Sequence, residues 1–229
     1  MILRALSHGY SDTGFENCFH PPYPSRGLCA IMDLREVITM KILCCGDSNT
    51  YGYDPRGFFG DRYGGEDRWV DRLAEQAGHE CTNAGSNGRE IPHSPHALRP
   101  LTEYTAADIF LVMLGTNDLL QGASAKEAAA RMEVFLTAMH PHCKRLLLVA
   151  PPPMKRGAWV PTDELVAQSI HLAEEYRRLA EKQNIPFVDT REWDIPLAFD
   201  GIHFTEEGHH RFAAHLMQAL QNTAPSSQL

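Results

Sequence analysis

Apolar residues fall along this chain in short unbroken runs, and the stretches between the runs repeat their apolar positions at helical spacing. Residues 41–45 form the first run, ending in Gly46-Asp47-Ser48. Its length and apolarity predict a strand buried on both faces, with Gly46 turning the backbone at its carboxyl end. A glycine- and aromatic-rich loop spans 51–65. In residues 67–77, Trp69, Val70, Leu73, Ala74 and Ala77 lie on one helical face, and Gly78 stops the helix. Residues 80–84 read as a second strand leading into Gly85-Ser86-Asn87-Gly88. Pro92, Pro95 and Pro100 leave room only for a short helix around 96–104. The clearest strand is 108–114, which ends in Gly115-Thr116-Asn117-Asp118.

Residues 124–139 predict a helix with Ser124 as N-cap and Glu127 three positions on. A fourth strand over 145–150 runs into Pro151-Pro152-Pro153. A long helix over 162–183 carries Leu165, Ile170, Leu172, Tyr176 and Leu179, and a short fifth strand covers 186–190. Thr205 caps a last helix reaching about residue 221, with Glu206 and Glu207 in its first turn, where the helix dipole favours them. Strands alternating with helices predict an α/β fold of three layers, α/β/α, around a five-stranded parallel sheet. Right-handed crossovers favour the flavodoxin-like order 2-1-3-4-5.

Outside this alternation the pattern fails. Residues 1–39 hold His20-Pro21-Pro22-Tyr23-Pro24 and no sustained period, so they are expected to be a flexible N-terminal extension to a domain over 40–221. Residues 222–229 are expected to be a frayed tail. The 229 residues carry 21 Lys plus Arg against 29 Asp plus Glu, a formal charge of −8, without a basic run to track phosphates; nucleic acid is not an expected partner. No apolar stretch nears the roughly 18 residues of a membrane span, and no secretion signal opens the chain. The six scattered cysteines lack a C-x-x-C pair, which argues against a disulfide framework or zinc ribbon. A cytoplasmic location is expected.

Three strand ends and one late loop bring Ser48, Gly88, Asn117 and the Asp200/His203 pair to one edge of such a sheet, where open α/β folds bind ligands. Each group alone is also ordinary turn or capping chemistry. Together they fill the roles of acyl transfer: a nucleophile, a base, a group that fixes the base's tautomer, and donors for a developing oxyanion. An Asp three residues before a His can reach Nδ1–H and leave Nε2 facing a serine.

These residues resemble the SGNH hydrolases, also called GDSL esterases, over 40–221. The four family blocks stand in order as Gly46-Asp47-Ser48, Asn83-Ala84-Gly85-Ser86-Asn87-Gly88, Gly115-Thr116-Asn117-Asp118 and Asp200-Gly201-Ile202-His203. The resemblance implies a serine esterase with Ser48 as nucleophile, His203 as base and Asp200 as its orienter. It also implies an oxyanion hole made of the Ser48 and Gly88 N–H groups and the Asn117 side chain. Stretches 112–118, 149–153 and 200–206 are similar to the small arylesterase and acyltransferase branch, for which short acyl chains and transfer to alcohols are expected. Asn49 departs from the pattern, standing where the family name puts leucine; altered local packing or hydrogen bonding is expected there.

Asn49, Trp159, Val160 and Ile202 are the candidate pocket residues. No cofactor is expected, since 85–88 is too short for a dinucleotide fingerprint and lacks the lysine of a phosphate loop. The close pairs His93/His96, His140/His142 and His209/His210 raise a metal site, but His209/His210 has no matching carboxylate or cysteine and His93/His96 sits in a proline-rich loop, so none is expected. Two rival readings stand beside the esterase: a thioesterase or lysophospholipase, and a flavodoxin-like domain that binds without chemistry. The expected partner is a small ester; the oligomeric state is open.

Overall fold

The computed structural model describes residues 39–57, 61–103 and 107–223. The extension expected over 1–39 and the tail over 222–229 lie almost wholly outside the described residues. In order, the elements are β1 (Lys41–Gly46), α1 (Ser48–Tyr51), β2 (Tyr53–Asp54), β3 (Asp61–Arg62), α2 (Trp69–Ala77), β4 (Glu80–Gly85), α3 (Pro95–Thr102), β5 (Ile109–Met113), α4 (Thr116–Leu120), α5 (Ala125–Met139), β6 (Arg145–Val149), α6 (Asp163–Gln183), β7 (Phe187–Val188) and α7 (Glu206–Thr223).

The main sheet is parallel with order β4-β1-β5-β6-β7. Counting only its own strands, this is the 2-1-3-4-5 order. Its strands alternate inward contacts between two cores because successive side chains point to opposite faces. Leu43, Cys45, Phe110, Val112, Leu146 and Leu148 pack with α5 and α6, while Ile42, Cys44, Ile109, Leu111, Leu147 and Val149 pack with α2 and α7. Burial of that kind contributes roughly 1.5–3 kcal/mol per large side chain, which is why the sheet needs helices on both faces.

The helix ends are capped by the residues whose chemistry suits them. Ser124 and Glu127 form a reciprocal capping box on α5, Gly78 closes α2 in the left-handed region, and Thr205 Oγ1 accepts from the Gly208 N–H at 3.0 Å. The structure departs from the sequence expectations in three places. The loop after Ser48 is not featureless, for Tyr53–Asp54 and Asp61–Arg62 pair as a small antiparallel hairpin. The short helix begins at Pro95, capped by Ser94 Oγ on Ala97 N–H, and ends at Thr102. The fifth strand shrinks to Phe187–Val188, since Asp189 turns back to bind Arg191 and Arg177. Among the described residues, no helix is long and apolar enough to cross a membrane.

Candidate active site

Parallel register aligns the carboxyl ends of three strands, with Gly46 beside both Gly85 and Met113. The turns leaving those ends are therefore gathered at the point where the strand order reverses. Two glycines permit the close approach: a Cβ on Gly46 would lie 1.9 Å from Thr50 Oγ1, and one on Gly85 would lie 2.1 Å from the Tyr51 backbone nitrogen. α1 can then close over both strand ends. Its N-cap is Asp47, whose Oδ1 accepts from Asn49 N–H at 3.0 Å, and Ser48 is its first residue.

The loop after β7 arrives from the far side. Asp200 Oδ1 accepts from the N–H groups of Ile202 and His203, each at 2.9 Å, so the carboxylate braces its own turn. Gly201 makes that turn at φ +84°, and a Cβ there would meet the Lys155 carbonyl at 2.1 Å. Lys155, Ala158 and Trp159 N–H groups donate to Gly201, Phe199 and Asp200 carbonyls, which lays residues 155–159 along the loop.

Within this frame His203 Nδ1–H donates to Asp200 Oδ2 at 2.7 Å, and Ser48 Oγ–H donates to His203 Nε2 at 2.9 Å. The proton assignment comes from the partners: a carboxylate only accepts, so Nδ1 carries the hydrogen and Nε2 is left as acceptor. Ser48, Asp200 and His203 are 6%, 1% and 3% exposed. Burial works to raise the Asp200 pKa, but hydrogen bonds from the His203 side chain and from the His203 and Ile202 N–H groups outweigh it and hold the carboxyl below its ordinary value. Asp47 goes the other way. Burial pushes it up to about 6 against the pull of Asn49 N–H, His203 and Thr116.

Gly88 turns at φ +70° with open space beyond its Cα. Among the described residues, neither its N–H nor that of Ser48 has a hydrogen-bond acceptor. Asn117 Nδ2 donates to the Arg89 carbonyl at 3.1 Å, which fixes the amide plane and leaves its second N–H. The Arg89 guanidinium in turn holds the Ala84 carbonyl and, at 3.1 Å, the Gly46 carbonyl. Behind Asn117, buried Asp118 accepts from Ile91 N–H at 3.0 Å and Arg131 at 2.8 Å, tying residues 89–91 to α5. Three N–H donors without an acceptor among the described residues thus lie on the turns that leave the registered strand ends, alongside one hydrogen-bonded Ser–His–Asp chain. Such an arrangement can take a proton from a hydroxyl and stabilise negative charge on a neighbouring oxygen.

The pocket candidates separate. Trp159 is 55% exposed and sets its ring edge-on to His203, with centroids 5.4 Å apart. Val160 is wholly buried and Ile202 nearly so, both within the α5/α6 core, so the expectation that they line an open pocket is corrected: their surface is used up by packing. Asn49 is buried too, and its amide is engaged at both ends, by the Ile202 carbonyl at 3.1 Å and the Phe204 N–H at 2.9 Å. It is a hydrogen-bonding strap rather than a pocket wall. Tyr53, absent from the sequence candidates, lies 4.6 Å from the His203 ring by centroids. Only the aromatic content of its loop hinted at it, and a lone Arg89 carried no signal at all.

Among the described residues, no group of three or more His, Cys, Asp or Glu side chains is placed to hold a metal ion. His93 meets the Ile91 carbonyl at 3.1 Å, His210 meets Asp67 at 2.8 Å, and His209 is buried against Tyr63 and Phe204.

Residues 44–211 match the model of the GDSL-like lipase/acylhydrolase family. The chain belongs to that family and is a carboxylic ester hydrolase. No curated protein sequence matches it significantly. Among solved structures it is similar to the native aryl esterase of M. smegmatis, at 26% identity and TM-score 0.70 over 80% of this chain and 99% of that one. A carbohydrate acetylesterase family member from Sinorhizobium meliloti matches at 26% identity and TM-score 0.70 over 80% and 98%. The acetylxylan esterase Axe2 from Geobacillus stearothermophilus, at 20% identity and TM-score 0.59 over 79% and 94%, shares the fold.

Proposed function

We propose that the chain hydrolyses short-chain carboxylic esters through an acyl-enzyme on Ser48. The observation that carries the reading is the unbroken chain from Ser48 Oγ through His203 to Asp200, at 2.9 and 2.7 Å. In the first half-reaction Ser48 Oγ attacks the acyl carbon while its proton passes to His203 Nε2. The carbonyl oxygen becomes an oxyanion facing Ser48 N–H, Gly88 N–H and Asn117 Nδ2–H. Collapse breaks the bond to the alcohol oxygen, which leaves with the proton from Nε2. Water then repeats the steps on the acyl-serine, and an alcohol in its place gives acyl transfer. Asp200 keeps Nε2 as the acceptor throughout and stabilises the imidazolium that forms.

Short acyl groups fit the arylesterase and carbohydrate acetylesterase neighbours. Tyr53 and Trp159, the rings set against the imidazole, suit a flat alcohol portion, an aryl group or a pyranose, because the departing oxygen must sit beside Nε2. The four described cysteines are free thiols, which suits a reducing, cytoplasmic setting. A fluorophosphonate probe should label the protein and fail to label Ser48→Ala; labelling that survives the substitution overturns the reading. On a series of aryl esters, kcat/KM should fall from acetyl to decanoyl, and the reverse order removes the short-chain preference.

A further inference from the structure

We propose that Asn49 is a positioning residue for this reaction: its side-chain amide locks the 200–204 loop onto the Ser48 turn and so sets the reach from His203 Nε2 to Ser48 Oγ. The proposal rests on the reading of Ser48 and His203 as the reacting pair.

The two halves of the site are internally stiff but separate in sequence. Asp200 braces Ile202, His203 and the imidazole by itself, so His203 and its carboxylate move as one unit. Ser48 belongs to the other unit, the strand-end turn capped by Asp47, and lies 155 positions away. Asn49, its immediate neighbour, bridges the units by accepting from Phe204 N–H with Oδ1 at 2.9 Å and donating from Nδ2 to the Ile202 carbonyl at 3.1 Å. These are the main-chain groups on either side of His203, and their chemistry fixes the amide's orientation, since a carbonyl only accepts and an N–H only donates.

The strap is itself held. Asn49 N–H donates to Asp47 Oδ1 at 3.0 Å, and its carbonyl accepts from the indole N–H of wholly buried Trp69 at 3.0 Å. Each polar atom of the residue therefore has a partner in the protein, and Asn49 is buried. Leucine, the residue in the family's name, has a similar size and can make neither side-chain bond. A reacting geometry must be held to about 0.5 Å, and a misplacement of about 1 Å costs on the order of a hundredfold in rate.

The experiment compares Asn49→Leu and Asn49→Asp with the parent for kcat and KM on phenyl acetate, fluorophosphonate labelling rate, the pH profile of kcat/KM, and Tm. Asn49→Leu should lower kcat by about a hundredfold with KM within about twofold, and slow labelling in parallel. The apparent ionisation in the pH profile should stay where it is, because the Asp200–His203 pairing lies inside the loop that shifts. Asn49→Asp keeps the acceptor for Phe204 N–H and loses the donor to Ile202, so its kcat should fall between the two. If Asn49→Leu does not fold, this isosteric variant decides, by a kcat loss at constant KM. A lowered Tm with kcat unchanged makes Asn49 a structural residue only and overturns the proposal. So does a KM rise that accounts for the loss, which would make it a binding residue, or a pH profile displaced in Asn49→Leu, a variant that adds no charge, which would mean that it acts on the imidazole's surroundings. Labelling that persists in Ser48→Ala removes the underlying reading, and is scored separately from all of these.

Discussion

Single side chains in the site are expected to differ in kind as well as in size of effect. Ser48→Ala and His203→Ala should each abolish nearly all turnover, and the double variant should be little worse than either, because the proposed mechanism uses the two as a unit joined by one hydrogen bond. Asn117→Ala should lower kcat by about a hundredfold while changing KM little, since in the proposed mechanism its free N–H would meet negative charge only in the transition state. Losses that multiply in the double variant would separate Ser48 from His203. A second residue-scale effect concerns pH. His209 is wholly buried, its ring nitrogens lack a hydrogen-bond partner among the described residues, and burial first, then His210, Arg68 and His203, lowers its pKa from 6.5 to about 3. The unfolded chain therefore binds that proton more strongly than the folded one. Stability is lost as pH falls below the unfolded value, by about 2 kcal/mol near pH 5, and the loss continues until the folded value is passed. Asp47 acts in the opposite sense, because its folded pKa is raised from 3.8 to about 6 and protonation favours the fold. Its contribution near pH 5 is about 1 kcal/mol and offsets part of the histidine's. His209→Leu should thus lose less Tm than the parent between about pH 7 and pH 5. Equal losses in the two proteins would show that His209 is not buried as a neutral ring.

Elements meet at the site through glycines and one tyrosine. Gly85 ends β4 directly under α1, where an added Cβ would lie 2.1 Å from the backbone nitrogen of Tyr51 and 2.6 Å from the carbonyl carbon of Thr50. Backbone cannot yield as a flexible side chain can. Gly85→Ala should therefore push α1 off the strand end, lower Tm by several degrees and displace Ser48 with it. Unchanged Tm and kcat would mean that α1 and β4 are less closely packed than this. On the opposite face, Tyr176 of α6 is wholly buried and donates its hydroxyl to the Leu114 carbonyl at 2.9 Å, just past β5. The same hydroxyl stands 2.6 Å from where a Cβ of Gly115 would be. Together they set the start of α4, and with it the position of Asn117.

Between Lys41 and Thr223 the described residues form a sheet closed by its own helices, with a hydrophobic core on each face. Removing residues 1–39 should consequently leave Tm and kcat unchanged, and a fall of several degrees would show that the extension supports the domain. Much of this architecture was legible from the chain alone. An apolar run such as 109–114 can be satisfied only between two layers, and a turn such as Asp200-Gly201-Ile202-His203 brings its carboxylate to its own imidazole by local geometry, so strands, helices and the Ser, His and Asp candidates were all evident. Even the strand order came from handedness and short connections. The chain could not show how separate turns face one another. Val160 and Ile202 looked like pocket walls and proved to be core, because burial is a property of the assembled layers. Asn49, Arg89 and Tyr53 bear on the site through partners in other segments, and no local pattern records such pairings. The sequence by itself determined the fold and the chemistry available at the strand ends, since both arise from periodicity and from turns a few residues long. Only the tertiary structure decided which neighbours hold that chemistry in line, because contacts between segments some 150 positions apart exist only once the sheet has brought those segments together.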